Sequence, residues 1–299
     1  MHEGVKSLIG VAGPMSEISC YWEFGYNVAF GTGIAYGLHQ AGRLEKTVSR
    51  PGTYPFFYFS PNHIELAQSE RQNTQFALDA RKKNFSLERI SKKYGVQWTP
   101  PPFKKHYAND EFTYDKPILV INNKSSEEFG SACYSYYNNE TLKTIFDLYK
   151  DKYQIIYLRP DFSSEYEREK HGYSDPTPYA KNQIPLYDFR DYELVDEYPE
   201  VLAFKDLLFE NPECSYNELQ CKIFANSNIF FSVAGGPSIL CSMFGGTNFI
   251  YNSPDRDNKN RGRGTYLTDS WLKDLSSSKI YGFERYEDFV NKSKALLLE

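Results

Sequence analysis

The pattern of apolar and polar positions divides the chain into short strands alternating with helices. Pro117-Ile-Leu-Val-Ile121 is a continuous apolar run of strand length. The stretch Asn138 to Tyr149 follows it, with apolar residues at Leu142, Ile145, Phe146 and Tyr149, the spacing of one helix face. Gln154 to Leu158 reads as the next strand. Ser215-Tyr-Asn-Glu218 fits a capping box opening a helix through Leu219, Ile223 and Phe224. Asn228-Ile-Phe-Phe-Ser-Val233 is then a strand, Pro237 to Phe244 a helix closed by Gly245-Gly246, and Asn248 to Tyr251 a further strand.

The first third repeats this alternation. Ser7 to Ala12 reads as a short buried strand and Tyr26 to Gln40 as a helix ended by Ala41-Gly42. The aromatic run Tyr54 to Ser60 reads as a strand, and Pro61-Asn62-His63 as the turn into a polar helical segment reaching about Lys83. The prolines at 100 to 102 cannot continue a helix or a central strand, and a polar stretch from Lys104 to Asp115 follows, so a linker is expected here. Residues 159 to 199 are polar, aromatic and rich in proline, and read as long loops with short elements.

Apolar strands separated by helices imply parallel sheet, because only a long crossover joins parallel neighbours. The expectation is an α/β protein of two Rossmann-like domains facing each other across a cleft, residues 1–114 and 115–299. In open parallel sheets ligands sit beyond the carboxyl ends of the strands, here at the interdomain cleft.

Composition narrows the class. With 34 basic and 39 acidic residues among 299, the net charge is −5, which argues against a nucleic-acid backbone binder. No apolar run is long enough for a membrane span, and the run at Leu8 is too short for a signal peptide, so a cytoplasmic protein is expected. Five cysteines without a C-x-x-C pattern read as reduced, buried thiols.

Ile229 to Tyr251 passes from strand to glycine turn to helix to glycine turn to strand without a spare residue. Gly235 and Gly236 permit close backbone approach, Pro237 suits a first helical turn, and Ser238 adds a hydroxyl, an arrangement fit for an anion. This stretch resembles the C-terminal domain of glycosyltransferases of the two-Rossmann GT-B architecture, notably the heptosyltransferase-like families. Gly235-Gly236-Pro237-Ser238 and Gly245-Gly246-Thr247 fall on their signature, and Asn217 to Ser227 resembles the run-up to it. The close match covers about 35 residues, and Ile239 stands where those families often carry His.

The resemblance implies a metal-independent transferase that moves a sugar from a nucleotide-diphosphate sugar to a glycan hydroxyl. It places the diphosphate between this turn and the loop Asn122-Asn123-Lys124-Ser125, with Lys124 as a phosphate cation. Arg159 stands at a strand end where fucosyltransferase-like enzymes place a phosphate-binding arginine, whose planar fork suits a diphosphate. No resident cofactor or metal is expected. Glu17, Glu23, His63 and Glu65 are the candidate bases for activating the acceptor.

Other readings compete. Asp255-Arg256-Asp257 has the D-x-D form by which metal-dependent GT-A transferases hold a divalent ion, although a solvated loop accounts for it. Gly31, Gly33 and Gly37 give an imperfect dinucleotide fingerprint of the kind an epimerase or reductase would carry. A non-catalytic carbohydrate-binding protein could stack its 25 tyrosines on sugar rings.

Overall fold

The computed structural model describes residues 17–21, 24–66, 91–92, 94–124, 135–160, 190–253 and 271–298. The strand expected at Ser7 to Ala12, the candidate base Glu23 and the Asp255-Arg256-Asp257 motif lie outside them.

Two parallel sheets form the scaffold. The larger has six strands: β4 (Ile118–Asn122), β5 (Gln154–Leu158), β6 (Val201–Ala203), β7 (Ser227–Val233), β8 (Thr247–Tyr251) and β9 (Lys279–Phe283). Their spatial order is β6-β5-β4-β7-β8-β9, and every pairing is parallel. The chain builds outward from β4 to one edge, then returns to the centre and builds to the other edge. That is the strand order of a dinucleotide-type Rossmann sheet, and its switch point falls between β4 and β7.

Side chains of the central strands alternate between two apolar layers, which explains their uninterrupted hydrophobic runs. Val120, Ile156 and Phe230 face one layer; Leu119, Ile121, Tyr157 and Phe231 face the other. Helix α4 (Asn139–Tyr149) covers the second layer with Leu142, Ile145, Phe146 and Tyr149, and α9 (Tyr286–Leu297) adds Phe289. Asn138 caps α4 by accepting from the Thr141 amide, and Ser215 caps α7 (Tyr216–Asn226) by accepting from the Glu218 amide.

The smaller sheet has the order β1-β2-β3, also parallel, from β1 (Glu17–Cys20), β2 (Lys46–Ser49) and β3 (His63–Glu65). Between β1 and β2 the chain is helical, in α1 (Phe24–Tyr26), a π-helical turn (Asn27–Gly31) and α2 (Thr32–Gln40). This agrees with the expected helix. Gly33 and Gly37 lie inside α2 and act as packing seats: a Cβ at Gly33 would fall 2.1 Å from the Trp98 indole nitrogen, and one at Gly37 2.1 Å from the Gln97 carbonyl oxygen. They therefore form no phosphate loop.

The aromatic run at Tyr54 corrects the expected strand. It is a 3-10 turn (Tyr54–Phe57), and the strand comes later, at His63–Glu65, where a helix is expected. Phe56 and Phe57 are fully buried, so the run is apolar because it fills the space under α2 and α7, not because it crosses a sheet.

The stretch expected as a linker is docked on the large sheet's helices. It carries α3 (Phe103–Tyr107), whose Phe103 is buried against Phe244 and Phe56. Ile18, Phe56, Phe103, Phe224 and Leu240, drawn from both sheets' layers, belong to one continuous apolar cluster. Among the described residues no helix is long and apolar enough to cross a membrane, and Cys20, Cys214, Cys221 and Cys241 are free and buried.

Candidate functional site at the switch point

β4 and β7 are parallel neighbours, and their carboxyl ends lie side by side at the switch point. β7 continues through Ala234 into the turn Gly235-Gly236-Pro237, which opens α8 (Gly236–Ser242). Gly235 adopts φ 123°, ψ −154°, a conformation that a side chain would strain. From β4 come Asn123 and Lys124, both buried. Lys124 Nζ crosses the switch point to donate to the Ala234 carbonyl at 2.9 Å, and a Cβ at Gly235 would lie 3.6 Å from that ammonium. The structure thus brings Lys124 and the glycine turn together.

Gly235, Gly236 and Pro237 are partly exposed. Ser238 is not: it is fully buried, and its hydroxyl donates to the Gly235 carbonyl at 2.9 Å. The turn's other wall is the small-sheet half. Gly25 lies against Ile239 and Gly236, and the Phe24 ring packs over Gly236.

Asn123 and Arg159 lie further along the same sheet edge. The Asn123 amide donates to the Tyr137 carbonyl and to the Tyr157 hydroxyl, both at 3.0 Å, and its oxygen accepts from the Tyr137 amide at 2.9 Å. Arg159 holds Asp191 with two donors, Nε to Oδ2 and Nη2 to Oδ1, and both side chains are almost wholly buried. Burial opposes charge on Arg159, but the carboxylate outweighs it and raises the guanidinium above its ordinary value. Arg159 therefore belongs to an ion pair, which the sequence reading did not foresee. Asp191 opens α5 (Asp191–Asp196) and stands far along the chain from Arg159, with no local pattern to announce the pairing.

The three described candidate bases sit apart from this edge cluster. Glu17 is the first residue of β1, at the sheet's amino end, and pairs with Lys46. His63 opens β3 rather than following a strand; its ring stacks on Phe57 at 5.0 Å and its Nδ1 lies 2.7 Å from Thr47 Oγ1. Glu65 ends β3 and accepts the backbone amides of Gly52 at 3.0 Å and Tyr54 at 2.6 Å. Burial would raise its pKa, but the His63 contact and the two amides together hold the carboxyl below its usual range. Of the three, Glu65 alone stands at a carboxyl end. The loop it pins meets the other half, where Asn217 of α7 donates to the Gly52 carbonyl at 2.7 Å. Among the described residues no group of three or more His, Cys, Asp or Glu could hold one metal ion.

No protein-family model matches the chain, and no curated protein matches it. Among solved structures, E. coli heptosyltransferase WaaC with ADP-2-deoxy-2-fluoro heptose aligns over 81% of this chain and 89% of that one, at 11% identity and a TM-score of 0.46.

Proposed function

We propose that the chain is a glycosyltransferase of GT-B architecture that takes a sugar from a nucleotide-diphosphate donor. Residues 1–114 would form the acceptor half and 115–299 the donor half. The observation that carries the reading is the Lys124 ammonium held against the Ala234 carbonyl at the switch point, next to a glycine turn whose residues 235–237 are partly exposed. In this reading the diphosphate lies at the partly exposed edge of the Gly235-Gly236-Pro237 turn, beside the Phe24 ring that packs on Gly236. Lys124 then stabilises the negative charge that develops on the departing nucleotide as the glycosidic bond breaks, the role a metal ion plays in other transferases. The acceptor is a glycan hydroxyl approaching from the small-sheet side, where Phe24 and Gly25 form the facing wall.

The test is thermal unfolding with UDP, GDP, ADP and CDP in the presence of EDTA. A bound nucleotide at a hundredfold excess over its Kd adds about 2.7 kcal/mol to folding stability, a readily measured rise in Tm. Hydrolysis of the matching sugar nucleotide would then identify the donor. Absence of a shift with all four nucleotides overturns the reading.

A further inference from the structure

The polar groups at the ends of β4 and β5 form one unbroken chain. Tyr137 and Asn123 exchange two hydrogen bonds, Asn123 donates to the Tyr157 hydroxyl, Tyr157 donates to Asp191 Oδ2, and Asp191 holds Arg159 with both carboxylate oxygens. Tyr192, next to Asp191, closes the end by donating to the Arg159 carbonyl at 2.7 Å, with the guanidinium carbon 4.8 Å from its ring centre. Tyr137, Asn123, Tyr157, Asp191 and Arg159 are all buried. Lys124 is the residue after Asn123, so whatever fixes Asn123 fixes the root of that lysine.

Two of the five guanidinium donors grip a buried carboxylate, which holds the pair together as a unit. Taking the guanidinium away would leave Asp191, 1% exposed, as an uncompensated buried charge. We infer that Asp191 is a positioning residue of the donor site: it retains Arg159 as a structural cation and, through Tyr157 and Asn123, sets where the Lys124 ammonium meets the diphosphate. The inference rests on the proposed nucleotide-sugar reading and revises one part of it, since the resemblance would have Arg159 touch phosphate.

The two roles for Arg159 predict opposite outcomes. If Arg159 were a phosphate ligand restrained by Asp191, Asp191→Asn would release it and strengthen the preference for UDP, GDP, ADP or CDP over the matching nucleoside. If Asp191 positions Lys124, the same change weakens that preference. Tyr157→Phe keeps both Arg159 donors on Asp191 and removes the hydroxyl that links Asp191 to Asn123, so it keeps the test alive should Asp191→Asn fail to fold. Titration calorimetry should show the diphosphate-to-nucleoside affinity ratio falling about fivefold in Tyr157→Phe, the worth of about one neutral hydrogen bond. In a Lys124→Met background the Tyr157 change should have no further effect, because the group it positions is gone.

A wild-type protein that prefers diphosphates, together with a Tyr157→Phe variant that keeps the full preference, overturns this inference and leaves the function standing. A strengthened preference in Asp191→Asn does the same. A wild-type protein that binds no member of the panel overturns both.

Discussion

Gly25 and Gly236 touch across the two halves of the molecule. A Cβ on Gly25 would lie 3.3 Å from the Gly236 Cα and 2.7 Å from the tip of Ile239, and a Cβ on Gly236 would meet the Phe24 ring at 2.7 Å. The halves meet at the proposed phosphate turn because neither carries a side chain there. Gly25→Ala needs the end of Ile239 to swing aside and the Gly236 backbone to give slightly. Gly25→Val pushes further into the Gly236 backbone and should cost roughly 1–3 kcal/mol, the usual range for overpacking. Urea unfolding of the two variants checks this, and equal stability in both would show that the contact can open freely.

Positive φ and crowding can be separated by comparing Gly246 with Gly42. Both have left-handed backbones, at φ 73° and 65°. Around Gly42 nothing lies within 4 Å of an added Cβ, whereas at Gly246 the Asn228 carbonyl oxygen would lie 2.3 Å away. Gly42→Ala should cost about 1–2 kcal/mol from backbone strain alone. Gly246→Ala should cost that and roughly 1–3 kcal/mol more, because the obstacle is the backbone of β7 and cannot swing aside. Matching urea midpoints for the two variants would show that β7 yields.

Glu65 should make part of the stability depend on pH. Its carboxyl lies below the ordinary range in the folded protein, despite burial, because the His63 contact and the Gly52 and Tyr54 amides favour its charged form. A folded-state pKa below the unfolded one means the contribution is complete above the unfolded pKa and fades as pH falls through the folded one. Glu65→Gln should therefore be less stable than wild type at neutral pH, by roughly 1–3 kcal/mol, with the gap closing in strong acid. A gap that does not change with pH would remove the charge from the account.

Four strands of the large sheet, β4, β5, β7 and β8, were legible because both of their faces are buried, which leaves apolar runs such as Ile118 to Ile121 with no polar interruption, whereas the three-residue β6 and the mostly half-exposed edge strand β9 were not. Nor were those of the small sheet. Lys46-Thr-Val-Ser49 is mostly polar, yet Thr47 and Ser49 are fully buried, because Thr47 bonds Ser60 and His63 while Ser49 joins Asn27 to the Cys20 carbonyl. Hydrogen bonding replaced hydrophobicity there, and periodicity cannot register it. The Tyr54 run misled in the opposite sense, since aromatic density marks burial without distinguishing a strand from a packed turn. At the site, the glycine turn and Lys124 follow from local sequence. The Asp191 carboxylate does not, because its partner is set by the fold.

The segment after the prolines is rich in polar residues, as a free linker would be, but those residues are spent on α7 and β7. Asn226 donates to the Asn109 carbonyl at 2.9 Å and to the Phe112 carbonyl at 2.8 Å, and Asn109 donates to the Lys222 carbonyl at 3.0 Å. Lys104 reaches the Ser227 carbonyl at 2.6 Å and Asn228 Oδ1 at 2.8 Å, and burial lowers its pKa. A connection held at so many points should resist proteases in the native protein. Asn226→Ala strips two backbone carbonyls of their donor and should cost roughly 1–3 kcal/mol. It should also expose the Lys104–Lys105 bonds to limited trypsin digestion while the large sheet stays folded. Rapid cleavage there in the wild-type protein would mean that the segment is not held on α7 and that the two halves can move about it. Slow cleavage in wild type with rapid cleavage in Asn226→Ala would place the restraint on this segment in the Asn226 clamp.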